Sequence, residues 1–249
     1  MVLRRVILYP IIFIVTIIVS RSLEQMISNK VLSGIITLIL VLGGYIYLCK
    51  KRKAKRFSLI LDQCDPYKFL EATEKQRKIT GKSKKYNVYF DMNKALGLSA
   101  LGRFEETKEI LENIDKSKLS RKDGTEIVYI ISLISCYYDL GEIEKAEKLF
   151  ESKMPILSPL TEKMRESVEF LLADRLFYLG RYEESKKIYE KKISDDNISK
   201  CIELEILYKL AQIDEKNGDL ESAKSKYIKV SNEGNKLYIA EQSSFYLNR

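Results

Sequence analysis

The sequence predicts an all-α protein in two parts: two N-terminal transmembrane helices, then an α-solenoid of about four helix–turn–helix repeats with capping helices. Three observations carry this. Two uncharged apolar runs lie within the first fifty residues. Beyond residue 57, apolar residues recur at intervals of three and four with few prolines, the period of amphipathic helices and not of strands. A pattern centred on glycine then repeats four times, at spacings of 39, 39 and 38 residues.

The membrane part comes first. Residues 6–20 (VILYPIIFIVTIIVS) and 31–49 (VLSGIITLILVLGGYIYLC) contain no charge. The second run is roughly 28 Å long as a helix and matches a hydrocarbon core. The first is roughly 22 Å long, so it needs Val2 and Leu3, or snorkelling of Arg4 and Arg5, to span. A cleaved signal peptide is its competing reading, although no A-x-A-like site follows. Arg4 and Arg5 precede the first run and KKRKAKR (residues 50–56) follows the second, while the joining loop RSLEQMISNK is nearly neutral. The positive-inside rule then predicts a two-span protein with both termini cytoplasmic, best suited to a bacterial plasma membrane. The basic run from Lys50 to Arg56 also suits contact with anionic lipid.

Charge and residue types exclude several functions. The chain has 43 Lys+Arg against 35 Asp+Glu, yet residues 1–56 hold ten bases and one acid. The rest is therefore almost neutral, and no nucleic acid partner is expected. There is no histidine, which removes the commonest general base and metal ligand. Cys49, Cys64, Cys136 and Cys201 are scattered without a paired motif and read as free packing thiols. Gly81-Lys82-Ser83 mimics the tail of a phosphate-binding loop, but the required glycine five residues earlier is Gln76. No catalytic residue, cofactor or metal is expected, and the protein is not an enzyme.

The repeats follow. Gly102, Gly141, Gly180 and Gly218 mark four turns. Two residues on stand Phe104, Ile143, Tyr182 and Leu220; five on, Thr107, Ala146, Ser185 and Ala223; nine on, Leu111, Phe150, Tyr189 and Tyr227. Glycine ends the first helix of each pair in a left-handed conformation. The large residue after it packs the second helix back, the small one permits close approach, and the last fills the seam to the next repeat. At the ends, Asp65-Pro66 reads as a helix cap and first turn. The expected domains are the anchor (1–56), N-terminal capping helices (57–85), the repeats (86–233) and a C-terminal capping helix (234–249).

This pattern resembles the tetratricopeptide repeat (TPR) family, with a longer period and no tryptophan. The resemblance implies a right-handed solenoid whose first helices line a concave peptide-binding groove. Transferred to this chain, the groove positions are Tyr89, Met92, Leu96 and Ser99; Val128, Ile131, Ser135 and Tyr138; Ser167, Phe170, Asp174 and Phe177; Glu205, Tyr208, Gln212 and Glu215. None is basic, which disfavours a C-terminal carboxylate ligand. The expected partner is an unidentified protein offering an amphipathic or extended segment with a basic end. The alternative is a structural subunit of a membrane complex assembled through the spans, where Gly43-Gly44 allows close helix packing and the repeats offer a self-association surface.

Overall fold

The computed structural model describes residues 14–23, 25, 27, 29–80, 84–153, 155–157, 161–195 and 198–248. Arg4, Arg5, most of the first apolar run (residues 6–13), the 81–83 triplet and the middle of the 194–200 turn lie outside them. Among the described residues every regular element is helical, and the chain divides into two compact units, Met1–Phe57 and Ser58–Arg249.

In the first unit, α1 (Ile14–Leu23) precedes α2 (Lys30–Leu61), which extends into the second unit at its last turn. Asn29 caps α2 by accepting from the backbone N–H groups of Val31 and Leu32 at 3.0 and 3.2 Å. With mean hydropathy of 2.2 over its most apolar stretch, α2 is the one helix among the described residues long and apolar enough to cross a membrane. A second span is not shown, since residues 6–13 of the first apolar run lie outside the described residues. The described α1 has ten residues, roughly 15 Å as a helix. The basic run 50–56 continues α2 as helix without a break.

The second unit is an array of antiparallel helix pairs. After α3 (Pro66–Thr80) come α4 (Lys84–Ser99) with α5 (Phe104–Glu112), and α6 (Thr125–Asp139) with α7 (Ile143–Lys153). Then come α8 (Glu162–Tyr178) with α9 (Tyr182–Ile193), α10 (Lys200–Lys216) with α11 (Leu220–Glu233), and α12 (Tyr238–Leu247). Asp65 caps α3 by accepting from the Lys68 N–H at 3.0 Å, and Pro66 opens it at the position where a missing donor costs nothing.

The four glycine turns are the same object repeated. Gly102, Gly141, Gly180 and Gly218 have φ of 71°, 72°, 76° and 82°. In each, the following N–H reaches back five residues: Arg103 to Leu98, Glu142 to Tyr137, Arg181 to Leu176 and Asp219 to Asp214, at 2.8–3.0 Å. That bond, with the glycine N–H reaching back three, is the Schellman closure of a helix C-terminus. The small column is buried: Thr107, Ala146, Ser185 and Ala223 are at most 3% exposed. Its two hydroxyls donate to carbonyls of the facing helix, Ser185 Oγ to Ala173 O at 2.8 Å and Thr107 Oγ1 to Ala95 O at 3.4 Å. A polar atom is thereby satisfied inside a dry seam. Leu111, Phe150, Tyr189 and Tyr227 are likewise buried. Leu220 breaks its column, being 63% exposed on the last pair.

The unexpected feature is that the two ends of this unit meet. Lys236 N donates to Cys64 O at 3.1 Å, Tyr238 N to Ala100 O at 2.9 Å and Asn235 Nδ2 to Gln63 O at 2.8 Å. The Tyr238 ring lies edge-on to Phe104 at 5.5 Å. Tyr246 stacks on Tyr227 at 4.9 Å, so α12 covers the last repeat and also reaches the first. The array closes on itself.

Candidate functional site

Closure turns the concave side of the array into a cavity of about 480 Å³. Its wall takes one stripe from each first helix: Leu96 and Ser99 on α4, with Ala100 just beyond it; Ile131, Ser135 and Asp139 on α6; Phe170, Asp174, Phe177 and Tyr178 on α8; Cys201, Glu205, Tyr208, Lys209 and Gln212 on α10. Ile60, Leu61, Leu237, Tyr238 and Ile239 come from the two ends. The stripes step mainly by four, as in 131–135–139, 170–174–178 and 201–205–209.

Of the residues expected in the groove, Leu96, Ile131, Phe170, Asp174, Phe177, Glu205, Tyr208 and Gln212 are brought together on this wall. Tyr89, Met92, Val128 and Tyr138 are not among its lining residues. Tyr138 is 1% exposed, hydrogen-bonds to Glu147 and stacks on Tyr178 at 5.1 Å, so it packs between helices. Tyr89 lies edge-on to Phe90 at 5.5 Å, Met92 packs on the central core, and Val128 is exposed. The aromatics on the wall each have one side engaged elsewhere: Phe170 against Tyr189, Phe177 against Tyr182 and Tyr208 against Tyr227.

Three residues outside the transferred positions complete the chemistry: Asp139, Tyr178 and Lys209. The Lys209 ammonium sits 4.6 Å from the Phe177 ring centre and 4.3 Å from that of Tyr178. It donates to the Tyr178 hydroxyl at 2.9 Å, which donates on to Asp139 Oδ1 at 2.6 Å. Lys209, next to the transferred position Tyr208, thus brings a basic residue to the groove that the transferred positions do not include. Tyr189 donates to Asp174 Oδ1. Three carboxyl groups face one ammonium.

Their protonation reflects this crowding. Burial pushes Glu205 up to about 7, with Asp174 and Asp139 adding like-charge repulsion, against relief from Cys201 and Lys209. Burial raises Asp174 to about 6, opposed by Lys209 and the Tyr189 hydrogen bond. Asp139 is raised by burial too, with Lys209 and Tyr178 opposing. A carboxyl whose folded pKa lies above its unfolded value favours folding while both states are protonated, and that advantage is lost as pH rises from the unfolded to the folded pKa. For Glu205 this window runs from 4.5 to about 7. Glu205→Gln is expected to match the parent below pH 4.5 and to exceed it by about 2 kcal/mol above pH 7, a value discounted for its partial exposure to the cavity. Thermal unfolding across that pH range checks it; a constant offset at every pH would contradict it.

The four helix pairs with repeated glycine closures and a concave wall built from first helices constitute a TPR architecture. The sequence matches the SusR N-terminal TPR domain over residues 72–246. No curated protein and no solved structure matches the chain. TPR domains are protein–protein interaction modules and typically non-catalytic. By that match, which takes in α4 to α11 and the body of both flanking helices, the chain belongs to the SusR N-terminal TPR domain family.

Proposed function

We propose that the protein is a membrane-tethered adaptor that holds a short segment of a partner protein in the groove of its TPR domain, with a Lys or Arg of that segment facing Asp139, Asp174 and Glu205. One observation carries the reading: three carboxyl groups and a set of aromatic faces converge on one cavity that supplies a single cation. An incoming cation relieves the repulsion that raises Glu205 and Asp174 and finds π faces beside it. On this reading α2 is the tether, residues 50–56 lie against anionic lipid, and the groove is on the cytoplasmic side of a plasma membrane. The two-span topology with both termini cytoplasmic belongs to the same proposal.

Site-specific photo-crosslinking in native membranes tests it. A benzoylphenylalanine at Ser135, on the groove wall, is expected to capture a partner, and one at exposed Glu144 on α7 is not. Crosslinks from Glu144 alone would overturn the groove reading. Fractionation after alkaline carbonate keeps the protein in the membrane pellet if α2 spans; release into the supernatant overturns the tether.

A second reading rests on Gly43 and Gly44. Among the described residues, an added Cβ at either would meet nothing within 4 Å, which leaves room for another helix to approach closely. Under it the protein is a structural subunit assembled through its span. Gly43→Ile/Gly44→Ile would then disperse the assembly, while the groove variants would leave it intact.

A further inference from the structure

The seam that closes the ring is accompanied by a thiol pair. Cys64 sits in the turn before α3 at φ 53°, a conformation that non-glycine residues resist. Its carbonyl accepts from Lys236 across the seam. Asn235, whose side chain donates to Gln63 O, is itself at φ 49°. The Cys64 side chain shares its buried core with Cys201, at the start of α10, whose Sγ donates to Glu205 Oε1 at 3.6 Å. Both thiols are buried in one core with Leu204, Tyr208, Val230 and Leu237. Cys64 is 0% and Cys201 4% exposed, but Cys201 also lines the groove. The pair thus joins the N-terminal turn to the fourth repeat, across the closure of the ring.

We propose that the ends of the repeat unit form a redox-sensitive clasp over the groove, in which a small organic disulfide oxidises the Cys64–Cys201 pair and locks the ring shut. Cys201, on the groove wall, is the sulfur that the carrier reaches. The Cys201 thiolate attacks one carrier sulfur, forming a mixed disulfide and expelling the first carrier thiolate. The Cys64 thiolate then attacks the Cys201 sulfur. The protein disulfide forms, the bond from Cys201 to the carrier breaks, and the second carrier thiolate leaves. The two thiol protons end on the two released carrier thiols, so the carrier gains the two electrons that the cysteines lose. The neighbouring Cys201 holds the Cys64 thiol below its usual range, which favours the second step; Cys64, burial and Glu205 hold Cys201 above its own, which makes the first step the slow one.

Locking matters because it fixes the two ends of the groove wall against each other. That consequence rests on the groove reading above; the thiol chemistry and the seam do not. The test uses the full chain in detergent micelles with 2-hydroxyethyl disulfide as carrier, read by alkylation with peptide mapping, by amide hydrogen exchange and by thermal unfolding. The expected product is a Cys64–Cys201 disulfide, reversed by dithiothreitol and absent from Cys64→Ser. Exchange at the Lys236 and Tyr238 amides is expected to slow at least ~10-fold, since these bonds cross the seam. The Tm is expected to rise by ~10 °C, because the bridge closes a long loop. If Cys64→Ser fails to fold, Cys201→Ser serves the same purpose. A mixed disulfide that stops at Cys201, an unreactive pair, or a disulfide that leaves seam exchange unchanged would each overturn the clasp. Absence of groove crosslinks beside intact seam locking would overturn the groove reading alone.

Discussion

Replacing Gly102 with alanine is expected to lower folding stability by about 4 kcal/mol, against about 1–2 kcal/mol for the same change at Gly141, Gly180 or Gly218. All four have positive φ, so each alanine carries the left-handed penalty. At Gly141, Gly180 and Gly218 the new methyl would enter open space. At Gly102 it would lie 2.3 Å from a ring carbon of Tyr238, so the ring must leave and the seam contact goes with it. Denaturant unfolding of the four variants side by side checks this. A Gly102→Ala no worse than the others would mean that end-to-end docking contributes little to stability.

Asp214→Ala is expected to cost about 3–5 kcal/mol, because two ammonium groups lose their buried counter-charge. Asp214, on α10, is 1% exposed. It accepts from Lys186 of α9 at 2.7 Å, and from Lys226 and Ser222 of α11 at 2.6 and 2.8 Å. Burial alone would raise its pKa, but the hydrogen bonds from Lys186, Lys226 and Ser222 outweigh it and hold the carboxyl below its ordinary 3.8. A depressed carboxyl stabilises above its unfolded pKa and loses that contribution as pH falls through the folded one. The gap between the parent and Asp214→Asn is therefore expected to narrow below pH 3.8. Urea titrations at pH 3 and pH 7 measure it; a gap that widens in acid would contradict the assignment.

The parts legible in the sequence were those encoded within one turn or one helix pair. A glycine closure needs six neighbouring residues, and the columns after each glycine face their own partner helix, so spacing alone locates them. The ring closure was not legible, because its contacts join Asn235 to Gln63 across 172 positions. The groove stripe was read one residue off in places. The wall on α6, α8 and α10 takes in residues adjacent to the transferred positions, Asp139, Tyr178 and Lys209. Tyr138 turned inward, its neighbour Asp139 faced the cavity, and Lys209 brought a base that the transferred positions do not include. In the N-terminal unit, hydropathy alone locates α2.

The seam also changes how this domain can come apart. In an open array of repeats each unit touches only its neighbours, so terminal units loosen first and the interior follows. Here the turn at residues 62–65 is tied to the turn at 234–237, so neither terminal helix is a free end. Losing any one helix pair also costs the contacts that the ends make with each other. Fraying from a terminus is thereby replaced by a single cooperative transition of the whole ring, an all-or-none behaviour ordinarily found in globular domains and not in linear repeats.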